Sequence, residues 1–74
     1  MSKVLVTGAN GHIGNVLVRM LIERGDDVVA FVRESSDLQS LDGVSVDYHK
    51  GDVRNAEAVL AAAEGCEVIY HLAA

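Results

Sequence analysis

Residues 4–24 constrain the fold most tightly. A short apolar run, Val4-Leu5-Val6, is followed at once by three glycines at a fixed interval, Gly8, Gly11 and Gly14. The run reads as a buried strand. From Ile13 to Arg24 the period changes to that of a helix. Ile13, Val16, Leu17, Met20 and Leu21 share one helical face, and His12, Asn15, Arg19 and Glu23 lie on the other. Gly25 marks the stop, with Arg24 in the last turn. A strand, a glycine turn and a helix in this order make an anion site. The first turn of a helix carries unpaired N–H groups, and the macrodipole places about half a positive charge there. Gly8 permits a tight turn off the strand, and Gly11 leaves no side chain where a phosphate would rest. Gly14, inside the helix, lets the helix pack close to the sheet. A turn that served only as a connection would need one or two glycines.

The rest of the chain repeats the alternation. Val28 to Val32 is a second continuous apolar run and a second buried strand. Residues 34–43 are polar with only Leu38 and Leu41 as anchors, which suggests a short helix or turn. Val44, Val46 and Tyr48 alternate with Ser45, Asp47 and His49, the pattern of a half-covered strand near a sheet edge. Asn55 can cap a further helix whose apolar face is Ala56, Val59, Leu60 and Ala63, with Gly65 as its stop. Val68 to Leu72 forms a fourth strand. Strands that alternate with helices and are mostly apolar throughout predict a parallel sheet built from right-handed crossovers.

Composition narrows the function. With 74 residues there is room for one small domain with a thin core. A net charge of −5 argues against nucleic acid and anionic membrane as partners. No apolar run approaches the ~18 residues of a membrane span, and Met1-Ser2-Lys3 leads straight into a strand without a secretory signal. The one cysteine, Cys66, suits a buried small hydrophobe in a reducing, cytoplasmic setting. His12, His49 and His71 lack metal-ligand spacing, so no metal site is expected.

The glycine spacing is G-x-x-G-x-x-G. Thr7-Gly8-Ala9-Asn10-Gly11-His12-Ile13-Gly14 resembles the T-G-x-x-G-x-x-G motif of the short-chain dehydrogenase/reductase family. It is most similar to the extended branch of epimerases and dihydroflavonol reductase-like enzymes. Gly51-Asp52-Val53-Arg54 resembles the family segment after the third strand, and His71-Leu72-Ala73-Ala74 its H-x-A-A tail. The resemblance implies an α/β fold, half of a Rossmann domain. Its elements run β-α-β-α-β-α-β, in a parallel sheet of order 3-2-1-4 with helices on both faces. It implies a dinucleotide cofactor, its pyrophosphate on Gly8, Asn10, Gly11, His12, Ile13 and Gly14. Asp52 and Val53 would meet the adenine, and Leu72, Ala73 and Ala74 would line the floor.

The end of the second strand bears on NADP against NAD. An NAD enzyme usually carries a carboxylate there for the ribose 2′-hydroxyl. This chain has Val32 and Arg33, and a guanidinium fork suits a 2′-phosphate. Ser35 and Ser36 can add hydroxyl donors, whereas Glu34 would repel a phosphate. NADP is therefore expected, with NAD as the alternative. Asp52 can also cap the helix that follows it, and His71 is expected to be structural.

The family's chemistry uses Ser or Thr with a Tyr-x-x-x-Lys pair. Here Tyr48 is followed four residues later by Asp52, and Tyr70 by Ala74. Residues 1–74 thus correspond to a truncated cofactor domain, cut after its fourth strand. Three functions stay open: a cofactor-binding half-domain without catalysis, an enzyme completed by another chain, or a self-associating folding unit without significant cofactor binding. Strands one, two and four read as apolar on both faces, and one alanine-rich helix covers little. A homodimer through the uncovered face or the fourth-strand edge is therefore expected.

Overall fold

The computed structural model describes residues 2–33 and 43–72. The elements are β1 (Lys3–Thr7), α1 (His12–Glu23), β2 (Asp27–Val32), β3 (Asp47–Lys50), α2 (Ala56–Ala63) and β4 (Val68–His71). The four strands form one sheet in the order β3-β2-β1-β4, and every pairing is parallel. The order and α/β class agree with the sequence expectation. The expected helix or turn over 34–43 lies outside the described residues, as do Leu38 and Leu41.

Central strands explain the stability of the sheet. Val4, Leu5, Val6 and Thr7 of β1 and Val28 to Val32 of β2 are buried, because each strand is covered on both faces. Alternation divides them. Val4, Val6, Val28, Ala30 and Val32 pack with Val18 and Leu21 of α1, while Leu5, Val29 and Phe31 pack with Ala62 of α2. Among the described residues one helix therefore lies on each face. At the opposite end of these strands, the Ser2 amide donates to Asp26 at 3.2 Å, and Arg24 forks onto the same carboxylate at 2.6 and 2.9 Å.

Both helices present a different face from the one their large apolar residues suggest. In α1 the buried line is Gly14, Val18 and Leu21, with Leu17 and Ile22 half-buried; Ile13, Val16 and Met20 are 71%, 53% and 62% exposed. A hydrophobic pattern counts glycine as nothing. Yet Gly14 is where the helix comes closest to its neighbours, and that contact turns the Val18 side inward. In α2 the inward residues are Ala58, Val59 and Ala62, while Leu60 is 70% exposed. Small alanines let this helix sit close over the Phe31 ring. The third strand begins three residues later than its alternation suggests. Val44 and Val46 pack against the core as extended chain before β3 starts at Asp47.

Candidate functional site

Parallel strands bring all their C-terminal ends to one edge of the sheet. That edge carries the Gly8–Gly11 turn after β1, Arg33 after β2, the Asp52–Asn55 turn after β3 and Leu72 after β4. The sequence candidates Gly8, Asn10, Gly11, His12, Ile13, Gly14, Arg33, Asp52, Val53 and Leu72 all fall on it or on the helix start beside it. Ala73 and Ala74, with Glu34, Ser35 and Ser36, lie outside the described residues.

The turn after β1 is built from backbone contacts. Gly8 has φ +67°, a left-handed conformation that glycine adopts without strain. Its N–H donates to the Phe31 carbonyl at 3.1 Å, and its carbonyl accepts from the Gly11 N–H at 3.0 Å. A Cβ on Gly14 would collide with the Gly8 carbonyl oxygen and with the Ala9 backbone. The third glycine thus lets the helix approach the turn itself, rather than the sheet as the sequence suggested. Gly11 is the N-cap of α1 and makes no side-chain cap bond, and the first turn holds no acidic residue. The leading N–H groups, including those of His12 and Ile13, have no intrahelical acceptor. His12 is exposed.

Asn15 is a component that sequence reasoning placed merely on the outer face. Its side-chain amide donates to the carbonyls of Gly11 and His12 at 2.9 and 2.8 Å. It engages acceptors only, so it stiffens the helix start and leaves the N–H groups free for an anion. Thr7 is a second missed component, fully buried at the end of β1. Its hydroxyl accepts from the Leu72 N–H at 3.0 Å and lies 3.0 Å from His71 Nδ1. This ties the ends of β1 and β4 and gives His71 the structural role expected of it. A threonine closing an apolar strand just before a glycine turn was the available signal.

At the other side of the edge, Asp52 does not cap α2. Asn55 does so, its side-chain oxygen accepting from the N–H groups of Glu57 and Ala58 at 3.1 and 3.3 Å. Asp52 carries a different load. Its carboxylate accepts from the Arg54 N–H and is forked by the Arg54 guanidinium, the shortest contact being 2.8 Å. These bonds, with a smaller contribution from the charge of Arg33, hold the Asp52 carboxyl down at about 2. Gly51 donates to the Val32 carbonyl at 2.9 Å, so Arg33 and Asp52 come from adjacent strand ends. Val53 packs below them with Phe31.

Elsewhere the groups are quiet. Cys66 is half-buried, and burial pushes its thiol up, which disfavours the reactive thiolate. No group of metal-ligating side chains occurs among the described residues, and no described helix is long and apolar enough to cross a membrane.

Comparison with known proteins agrees with this geometry. The NAD(P)H-binding family model matches residues 8–74. Sterol demethylase protein B of Methylococcus capsulatus is 50% identical over 70 residues, which is 95% of this chain and 21% of that protein. A 2-alkyl-3-oxoalkanoate reductase of Stenotrophomonas maltophilia is 41% identical, over 93% of this chain and 20% of its own. Among solved structures, vestitone reductase from alfalfa superposes with a TM-score of 0.79 at 32% identity, over 96% of this chain and 24% of that one. The chain therefore spans about a fifth of the length of the curated relatives it matches. It belongs to the NAD(P)H-binding family, among the reductases and epimerases of the extended short-chain dehydrogenase/reductase type.

Proposed function

We propose that residues 1–74 act as one domain, the adenosine-binding half of a cofactor site, with NADP as the preferred dinucleotide and no catalysis by this stretch alone. The observation that carries the reading is the uncapped start of α1 facing the same edge as Arg33. When bound, the cofactor would supply hydride transfer; the residues described here bind and orient it. The N–H groups of His12 and Ile13 receive the pyrophosphate, with Gly8, Asn10, Gly11 and Gly14 shaping the turn around it. Arg33 receives the 2′-phosphate, Asp52 and Val53 border the adenine, and Leu72 to Ala74 form the floor. The reaction and substrate belong to the remainder of a protein of the relatives' length. The named relatives point to a carbonyl reduction or a related oxidoreductase step. A reducing cytoplasm suits a chain with one unpaired, half-buried cysteine.

Calorimetry tests the cofactor preference. Wild type is expected to bind NADP more tightly than NAD, and Arg33→Ala to reduce that ratio by about tenfold, the value of one charge-assisted fork. An unchanged ratio removes Arg33 from the site.

A second copy of the chain is the proposed partner. The expected bare face over β1 and β2 is covered by α2. The exposure lies instead at β4, where Val68, Ile69 and Leu72 are 40–51% exposed, and on α1 at Ile13, Val16 and Met20. Ile13, Leu17, Met20 and Arg24 share one helical flank. Tyr70 of β4 packs against the same cluster as Val18 and Leu21, so α1 and this side of β4 share one face of the sheet. A two-fold axis parallel to the strands would lay each α1 over the other copy's β4. In a chain of the relatives' length, a further strand and helix would cover the same flank. Sedimentation of the 74-residue chain at micromolar concentration should show a dimer that Met20→Lys dissociates. A single species near 7.9 kDa at all concentrations excludes it.

A further inference from the structure

The ends of β2 and β3 place two arginines around one carboxylate. Asp52 Oδ1 accepts from the Arg54 N–H at 2.9 Å and from its Nε at 3.1 Å, and Oδ2 accepts from the terminal nitrogen at 2.8 Å. The Asp52 carbonyl also accepts from the Asn55 N–H at 2.9 Å, which closes the turn. Backbone and fork together hold this carboxylate in one orientation. The Nε hydrogen is shared with Oδ2, 3.2 Å away, so three Arg54 hydrogens meet the carboxylate's roughly four acceptor sites and leave it room for one more donor. An ionised carboxylate offers no donor, so that remaining site suits an amino group and disfavours a carbonyl oxygen.

A difficulty follows from placing Asp52 next to Arg33. A nucleotide bearing a 2′-phosphate would bring a second anion within roughly a Debye length, ~8–10 Å, of the carboxylate. An uncompensated Asp52 would repel the group that Arg33 attracts. We propose that Arg54 is a positioning residue of the adenosine end of the site. Its fork offsets the charge of Asp52 and fixes that carboxylate's open acceptor position, so that one nucleotide can present an adenine amino group to Asp52 and a 2′-phosphate to Arg33. This rests on the cofactor reading above and assigns Arg54 a part in selectivity without contact to the phosphate. The Arg54 side chain is 88% exposed, so the fork is available to substitution without disturbing the core.

The test uses adenosine 2′,5′-bisphosphate and adenosine 5′-monophosphate as probes. Both are titrated into wild type, Arg54→Gln and Arg54→Lys by calorimetry, with circular dichroism as the folding control. In Arg54→Gln the affinity ratio of the bisphosphate over the monophosphate should fall by about fivefold, the size of one screened charge pair at this range. Arg54→Lys, which keeps the charge and loses the fork, should retain most of the ratio. It also carries the comparison if Arg54→Gln folds poorly. Without ligand, the NMR titration midpoint of the Asp52 carboxyl should rise from about 2 toward its ordinary 3.8 in Arg54→Gln. A ratio unchanged in Arg54→Gln, or an unmoved Asp52 midpoint, overturns the proposal while leaving the cofactor site standing. Wild type that binds neither probe overturns the cofactor reading, and this proposal with it.

Discussion

The two helices begin in opposite ways. α2 starts with Asn55, whose side chain satisfies two N–H groups, and has Glu57 in its first turn to complement the dipole. α1 starts with Gly11, which makes no side-chain cap bond, and has no acidic residue in its first turn. Capping is worth ~1 kcal/mol to a helix, so its omission is a cost. α1 bears that cost directly after β1, which lies between β2 and β4 with its C-terminal end at the same edge as theirs. A helix start that stabilises itself has nothing left for a ligand; one left open can receive an anion. The contrast locates function by what the local structure leaves unpaired.

Breaking the α1 start should have the largest effect. In Gly14→Ala the new methyl meets the Gly8 carbonyl and the Ala9 backbone, neither of which is a flexible side-chain end. The turn must open or α1 must lift from the sheet and loosen the packing of Val18 and Leu21 on it. The expected destabilisation is about 2–4 kcal/mol, the range for forced backbone shifts at a packed site, with loss of dinucleotide binding. Urea denaturation measures it. A loss below about 1 kcal/mol would mean the glycine turn is looser than its contacts indicate.

Swapping the two caps sharpens the comparison. Gly11 has φ −73°, which any residue adopts, and a Cβ there meets the Gly8 oxygen at 3.2 Å, a tight contact that a few tenths of an ångström relieve. Gly11→Asp gives α1 the cap it lacks. Stability should change by less than about 1 kcal/mol, while affinity for NADP falls about tenfold or more, since a carboxylate now holds the anion's place. Asn55→Ala should do the reverse: about 1 kcal/mol of stability lost and binding changed less than about twofold. Chemical denaturation and calorimetry on both variants separate the cases. Equal binding losses in the two would dissolve the distinction between the helix starts.

The same comparison shows what could be read from the sequence. The glycine turn was legible because three glycines in seven positions have few other uses, and the sheet order because strand–helix alternation joined with the family resemblance of that turn implied it. Asn55 announced itself as a cap. The inward faces of both helices were not legible. Gly14, Ala58 and Ala62 are the close-contact residues, and small side chains contribute least to a hydrophobic pattern, while Ile13, Met20 and Leu60 dominate it from the surface. Asn15 and Asp52 were misread or half-read for a second reason. Their roles depend on which backbone carbonyl or guanidinium lies within 3 Å, and a one-dimensional pattern does not carry that distance. Thr7 joins β1 to Leu72 across 65 positions of sequence, a contact visible only once β4 lies beside β1.

The smallest expected effect concerns acid. The α2 start is held by an amide, which does not titrate, whereas the neighbouring Asp52–Arg54 fork depends on an ionised carboxylate. The Arg54 side chain and N–H hold the Asp52 carboxyl at about 2, below its ordinary 3.8. A depressed carboxyl contributes its share of stability fully above its ordinary value and loses it as the pH falls through the folded-state value. The fork should therefore stay intact from neutral pH to about 4 and open only as the pH approaches 2. The pair is exposed to solvent, so salt weakens it and the contribution to global stability is slight. NMR observation of the Asp52 carboxyl carbon and of the Glu57 and Ala58 amides reads both parts at once. The carboxyl should titrate near 2 while the two amides hold their shifts down to the onset of acid unfolding. A midpoint near 4 would show that the fork does not persist in solution. Movement of the amides in step with the carboxyl would show that Asp52, rather than Asn55, secures the start of α2.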